Sequence, residues 1–187
     1  MSIKPIAMAL LISASTASVA QAEWTGGYVG ITAGSLTELT YDNTTGIGGP
    51  DVDIEDANSY GGFFGGHISS GELVYGYEIA FEAFEDVSAF SGQATIDSAL
   101  DLKFNVGVPA GQALLYGIIG FSNLSGDYGP NEIDATGFSY GAGAMVKLTD
   151  QLSIGGEYLV RSGTTEFVET DIDATANSFN ARVAFHF

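Results

Sequence analysis

The chain has 187 residues, of which 23 are acidic and 5 are basic, so its formal net charge is −18 at neutral pH. This acidity excludes nucleic acid as a partner, and the absence of cysteine excludes a disulfide framework and thiol chemistry. Because 45% of the residues are nevertheless hydrophobic, we expect one folded domain rather than disorder.

The first 22 residues have the pattern of a secretory signal peptide. Lys4 precedes a short apolar run, Ile6–Ile12, and small residues follow as far as Ala-Gln-Ala at 20–22, which fits a small-x-small cleavage site. We therefore expect residues 1–22 to be removed and residues 23–187 to form the mature protein. The alternative is an uncleaved anchor, but the apolar run is shorter than the roughly 20 residues that a membrane-spanning helix needs.

Apolar and polar residues alternate in eight segments of the mature chain, which predicts eight β-strands. In chain order these strands are residues 28–35, 59–69, 72–84, 97–108, 114–122, 138–148, 152–161 and 175–187. The segment 114–122 is apolar on both faces, so alternation does not fix its register. The last strand stays apolar at every second position as far as Phe187.

The connections between these strands alternate in length. Short turns are predicted at 69–72, 109–112 and 148–151, and long polar loops at 37–57, 85–96, 123–136 and 162–174. Short turns at one end and long loops at the other are typical of outer-membrane barrels. The sequence therefore predicts an all-β fold, an eight-stranded antiparallel up-and-down transmembrane β-barrel. The alternative is a soluble lipocalin-like barrel, which would turn its apolar residues inward.

Charged residues on the polar strand faces favour the membrane barrel. A charge that faces lipid near the bilayer midplane costs roughly 2–4 kcal/mol, so these side chains are expected to point into the lumen and pair there. The predicted lumen network consists of Glu78, Glu82, Asp101, Lys103, Lys147, Glu157, Arg161 and Arg182. Two interpretations are open: a structural plug of ion pairs, or a cation-lined or proton-conducting path.

Three segments carry a resemblance to a known family. Trp24–Gly30 (WTGGYVG), the stretch from Tyr140 to Leu159, and the last strand with Arg182 and Phe187 resemble the OmpA/OmpX-like and opacity-protein-like eight-stranded outer-membrane barrels. The resemblance implies an integral barrel in the outer membrane of a Gram-negative cell. It also implies that the barrel-assembly machinery recognises the last strand, here through Val183, Phe185 and Phe187. It implies no single activity, since the family includes structural proteins, adhesins and small pores.

One motif in the sequence has the spacing of a catalytic pair. Some barrel enzymes that modify lipid A use a His-x-Ser pair with a carboxylate, and His67-Ile-Ser69 has that spacing, with Glu72 and Glu78 downstream. The spacing is a weak signal because a serine nucleophile also needs its base within hydrogen-bond reach. The predicted register turns His67 inward, away from a lipid substrate. We therefore predict an interior histidine, no catalytic residues and no cofactor.

Every charged residue in the four predicted loops is acidic. Carboxylate oxygens are ligands for divalent cations, and Asp51, Asp53 and Glu55 begin like a calcium-binding loop. The pattern then departs, because Asp56 and Gly62 stand where an EF-hand needs glycine and glutamate. The alternatives are a divalent-cation site at Asp51, Asp53 and Glu55, a solvated acidic surface, and cations that bridge the loops to lipopolysaccharide phosphates.

The function expected from the sequence is structural or interactive. A monomeric barrel would sit among outer-membrane lipid, support the membrane, and present its acidic loops to ions, lipopolysaccharide or partners. One alternative is a narrow, porin-like passive channel through the charged lumen. The other alternative is a barrel enzyme that modifies lipid A.

Overall fold

A computed structural model describes residues 23–43, 57–85, 88–89, 94–128, 130–167 and 170–187. The strands are β1 (Gly26–Asn43), β2 (Ala57–Ser70), β3 (Leu73–Phe84), β4 (Ser88–Ala89), β5 (Ala94–Thr95), β6 (Ser98–Ala110), β7 (Ala113–Tyr128), β8 (Asn131–Lys147), β9 (Leu152–Phe167) and β10 (Thr170–His186). In these residues there is no helix with the length and apolar character needed to cross a bilayer.

The eight long strands form one closed barrel. They pair antiparallel in the order β7-β6-β3-β2-β1-β10-β9-β8, and β7 pairs with β8 to close the ring. β4 and β5 form a two-residue ladder beside the end of β7. The predicted eight-stranded antiparallel up-and-down barrel is confirmed.

Side chains alternate between the outer wall and the lumen along each strand. On β3, Tyr75, Tyr77, Ile79 and Phe81 are 45–52% exposed on the outer wall, whereas Glu78 is buried inside. A barrel that carries its large apolar side chains outside and its charges inside is suited to hydrocarbon, so the lipocalin-like alternative is wrong.

Strand β7 also obeys this alternation, although its sequence is apolar on both faces. Leu115, Ile119 and Phe121 lie on the outer wall, whereas Leu114 and Tyr116 are buried in the lumen. The register that alternation left open is therefore set by pairing with β6 and β8.

Several predicted loops are shorter than expected. β7 runs to Tyr128 and β8 starts at Asn131, so most of the predicted loop 123–136 is strand, and β9 and β10 likewise take up much of 162–174. Within 37–57, β1 continues to Asn43, and residues 44–56 lie outside the described residues. Polar composition marks where a strand leaves the hydrocarbon, but the ladder of backbone hydrogen bonds continues beyond that point.

The short connections gather at one end of the barrel, which we call the turn end; the opposite end is the loop end. Gly71 and Gly111 have φ values of +63° and +64° in two of these turns. This left-handed conformation suits glycine, which has no Cβ to clash with the backbone. Glu72, predicted to open the third strand, lies in the turn instead.

Two buried apolar clusters occupy the lumen, one toward each end. The turn-end apolar cluster includes Trp24, Tyr28, Phe63, Val74 and Leu114. The loop-end apolar cluster consists of Leu36, Ala57, Phe84, Ile96, Ala99, Leu124 and Ala176. Along β3 the order is Val74, Glu78, Ala80, Glu82 and Phe84. Because Ala80 belongs to the turn-end apolar cluster, that cluster reaches between the two buried carboxylates.

Candidate functional site

Four charged side chains meet near the turn end of the lumen, in what we call the lower ion cluster. Strand register places Glu78 directly opposite Lys103, and the barrel wall brings Glu157 and Arg182 across to them. Lys103 Nζ lies 3.4 Å from Glu78 Oε1 and also pairs with Glu157. Arg182 pairs with Glu157 and lies 2.5 Å from Glu78 Oε2. Each cation therefore contacts both carboxylates, and the four side chains form a neutral ring.

Two tyrosines and a phenylalanine hold this ring in place. Tyr28 donates a hydrogen bond to Glu78 Oε2 at 3.0 Å, and Tyr116 donates one to Glu157 Oε2 at 3.4 Å. Arg182 donates to the Tyr116 hydroxyl oxygen at 3.2 Å, and its guanidinium lies 3.8 Å from the Phe63 ring centroid. Cation–π contact and charge-assisted hydrogen bonds strengthen when desolvated, so Arg182 is fixed on three sides.

A second group, the upper ion cluster, lies closer to the loop end. Arg161 is 1% exposed and binds Asp101 through two nitrogens, with Nε–Oδ1 and Nη2–Oδ2 distances of 3.0 and 2.8 Å. Its Nη2 also lies 2.5 Å from Glu82 Oε2, and its Nη1 donates to Ser178 at 2.9 Å. Ser122 donates to Asp101 at 2.5 Å. The planar guanidinium suits this forked recognition of carboxylates.

These clusters and the apolar layers around them fill the lumen. An eight-stranded barrel has an interior about wide enough for its own side chains. The cavity between the two ion clusters has a volume of about 10 Å³. That is room for about one water molecule, not for a hydrated ion in transit.

Lys147, predicted as a member of the lumen network, does not join either ion cluster. It is the last residue of β8 and contacts the backbone oxygens of Glu23 and Asp150. Its ammonium also lies 5.2 Å from the centroid of the Trp24 ring. The β8 residue opposite Glu157 is Gly143, four positions away, which is about 13 Å along a strand. The alternating pattern correctly predicted that Lys147 faces the lumen, but it did not predict the position of Lys147 along the barrel axis.

The His-x-Ser motif is not assembled as a catalytic site. His67 is buried in the lumen with its ring centroid 4.6 Å from that of Tyr28, whereas Ser69 and Glu72 are exposed at the turn end. Glu78, the other carboxylate considered, is bound to Lys103 and Arg182. His67 and Ser69 are two positions apart on β2 and therefore share a strand face. Ser69 nevertheless lies at the exposed end of the strand, whereas His67 lies within the lumen.

The structure brings together a different serine and histidine that sequence reasoning missed. Ser153 Oγ lies 2.8 Å from His186 Nε2, on the paired strands β9 and β10. Ser153 is fully buried, so a substrate has no access to its hydroxyl. We interpret this pair as a structural hydrogen bond at the turn end. The tyrosine partners of the lower cluster were also missed, although alternation already implied that Tyr28 faces inward.

The remaining predicted site residues fall into two sets. Asp51, Asp53 and Glu55 lie outside the described residues, and within the described part of the chain no group of three or more His, Asp or Glu is placed to hold a metal ion. Val183 and Phe185 are exposed on the outer wall of β10. Phe187 exchanges backbone hydrogen bonds of 3.1 and 2.9 Å with Gly27. Recognition of this strand by an assembly machinery stays a prediction.

Comparison with known proteins identifies the family. A family model described as outer membrane protein beta-barrel domain matches residues 6–187. The chain belongs to this family and is a protein of the bacterial outer membrane, which confirms the resemblance drawn from the sequence.

One solved structure shows the same fold at low sequence identity, and a second matches with a lower score. Neisserial surface protein A is 13% identical with a TM-score of 0.53, and the match covers 87% of this chain and 98% of that one. The second is Ail, the attachment invasion locus protein of Yersinia pestis, in complex with the heparin analogue sucrose octasulfate. It is 14% identical with a TM-score of 0.43, and the match covers 84% of this chain and 99% of that one. No curated protein matches the chain.

Proposed function

We propose that this barrel is a structural and interaction protein of the outer membrane that neither conducts solutes nor catalyses a reaction. The observation that carries the proposal is the occupied lumen: buried apolar side chains and two ion clusters share it, and the cavity between the ion clusters has a volume of about 10 Å³. A permeating ion would have to displace side chains that hold each other in multiple ion pairs. The interior therefore serves stability, and interactions belong to the outer wall and the loop end.

The outer wall fits lipid, and the loop end fits cations. Exposed aromatic and aliphatic side chains cover the strands, as hydrocarbon contact requires. At the loop end, Asp127 of β7 lies directly opposite Glu132 of β8 in the strand register. Like charges at directly opposite positions destabilise a strand pair, and a divalent cation offsets that repulsion. We propose that such cations join the loops, including Asp51, Asp53 and Glu55, to lipopolysaccharide phosphates.

We further propose the mature form in which this function is carried out. It comprises residues 23–187 after removal of the signal peptide, is a monomer, and carries acidic segments at the loop end. Val183, Phe185 and Phe187 would present the last strand to the barrel-assembly machinery. Two observations support this assignment. Val183 and Phe185 are exposed on the outer wall, and β10 pairs with β1.

Planar-bilayer recording tests the sealed lumen. Folded residues 23–187 should give no stepwise current above the empty bilayer. A variant that opens the lower cluster and the turn end together, Lys103→Ala with Arg182→Ala and Trp24→Ala, provides the positive control. Stepwise openings of the unmodified barrel that change amplitude in Lys103→Ala or Arg182→Ala alone would establish the channel alternative instead.

Lipopolysaccharide association tests the interaction role. Binding of the detergent-folded barrel to lipopolysaccharide should rise with millimolar magnesium or calcium and fall after chelation. Replacement of Asp127 and Glu132 by asparagine and glutamine should weaken the cation dependence. Replacement of the exposed turn-end residues Glu72 and Asp150 in the same way is the matched control and should leave it unchanged. Equal binding with and without divalent cations would refute this part of the proposal.

A further inference from the structure

The buried charges of the lumen do not balance. In the described residues the two ion clusters contain four carboxylates, Glu78, Glu82, Asp101 and Glu157, and three cations, Lys103, Arg161 and Arg182. The lower cluster pairs two cations with two carboxylates and is neutral. The upper cluster has Arg161 between Glu82 and Asp101, so one negative charge is left over there.

The excess charge coincides with an oxygen that has no partner. Both oxygens of Asp101 accept hydrogen bonds, from Arg161 and Ser122. Glu82 Oε2 accepts one from Arg161, but Glu82 Oε1 has no hydrogen-bond partner, although the residue is only 2% exposed. A buried carboxylate oxygen without a partner is strongly unfavourable, because burial removes the water that would otherwise solvate it.

A small cavity lies against this carboxylate. Its volume is about 10 Å³, which accommodates one water-sized sphere. The lining residues that have a side-chain oxygen are Thr32, Glu82, Asp101, Glu157 and Asn180. Lys103 and Arg182 also line it, but each is already paired with Glu78 and Glu157. Their charge is therefore compensated within the lower cluster.

We propose that this cavity binds one small monovalent cation, such as sodium, with Glu82 Oε1 as its charged ligand. A hard cation takes oxygen ligands, and the oxygen-bearing residues that line this cavity can supply them. A single positive charge balances the lumen, whereas a divalent ion would reverse its sign. A water molecule would give Glu82 Oε1 a hydrogen bond but would leave the buried charge uncompensated. The site goes beyond the proposed function, because it couples folding of the barrel to the monovalent salt present.

Refolding in different salts tests the proposal. The barrel is refolded in detergent in sodium chloride or in choline chloride at equal ionic strength, since choline is too large for the cavity. The melting midpoint should be higher in sodium, and the gain should saturate with sodium concentration, as binding to one site in the native state requires. Equal midpoints in the two salts would overturn the proposal and leave water or a proton in the cavity.

Variants locate the ion. Glu82→Gln removes the excess charge and should abolish the difference between sodium and choline. Glu85→Gln, three residues along and exposed, is the matched control and should keep it. A sodium effect that survives Glu82→Gln, or that Glu85→Gln removes equally, would place the ion on the surface and overturn the proposal. If Glu82→Gln fails to fold, Asn180→Ala takes its place and should lower the apparent sodium affinity.

Discussion

Removal of Arg182 should be among the most destabilising single changes in this barrel. Arg182 is 4% exposed and pairs with both Glu78 and Glu157, so Arg182→Met leaves two buried carboxylates with only Lys103 between them. Loss of one partner of a buried ion pair costs about 3–5 kcal/mol, chiefly because the charge left behind is uncompensated. With a urea dependence of about 2 kcal/mol per molar, the unfolding midpoint should fall by about 2 M.

The double variant Arg182→Met with Glu157→Gln separates charge imbalance from lost contacts. It leaves one carboxylate and one cation, Glu78 and Lys103, so the lower cluster is neutral again. If imbalance is the main cost, the double variant should be more stable than Arg182→Met alone, despite a second substitution in the lumen. Independent, additive losses from the two substitutions would refute this reasoning.

Trp24 provides the assay for both variants. It is the only tryptophan of the chain and is buried at the turn end, 5.7 Å from His186 between ring centroids. Its fluorescence therefore reports loss of the folded lumen during urea unfolding in micelles. Altered migration of unboiled samples on a gel gives an independent measure of the folded fraction. A loss below about 1 kcal/mol in Arg182→Met would contradict a tightly packed ion cluster and would instead indicate a hydrated lumen.

Three further predictions concern single positions and use Trp24 fluorescence during urea unfolding, in micelles for Lys147 and Gly143 and in lipid vesicles for Phe104. Lys147→Met should lower the free energy of unfolding by less than about 1 kcal/mol, because the ammonium is partly exposed and binds backbone oxygens rather than a buried carboxylate. A loss as large as that of Arg182→Met would show that Lys147 belongs to the lumen network. Phe104→Arg should cost roughly 2–4 kcal/mol in a bilayer, because the side chain lies on the outer wall, and a neutral result would place this wall outside lipid. Gly143→Ala should cost about 1–3 kcal/mol of stability, since its new Cβ would lie 2.4 Å from the Tyr116 ring. Gly117→Ala is the control and should be nearly neutral, because nothing lies within 4 Å of a Cβ at that position.

The sequence predicted which face each charge occupies, because alternation with a period of two fixes that face. It did not predict which charges meet. Lys103 contacts Glu78 on a neighbouring strand and Glu157, which is 54 residues away in sequence. Such contacts depend on the stagger between strands and on side chains that reach across the lumen, and neither is visible in a single strand.

Height along the barrel axis was the other quantity that alternation left undetermined. Lys147 has the inward face but lies near the turn end, beyond the reach of the carboxylates. Strand ends were misjudged for a related reason. The polar residues after Ser122 indicate departure from lipid, while β7 continues to Tyr128 in a hydrogen-bonded ladder with β8.

The ion pair between Lys103 and Glu157 gives the most direct measurement of a sealed, charge-paired lumen. After loss of Lys4 with the signal peptide, a Lys147→Arg variant contains Lys103 as its single lysine, so ¹⁵N-lysine labels one side chain. Solid-state NMR in lipid bilayers then measures the distance from Lys103 Nζ to the carboxyl carbon of Glu157. We predict a separation under about 4 Å, as direct hydrogen bonding requires. A separation beyond about 6 Å would mean that water lies between the two groups, and the filled lumen would be wrong.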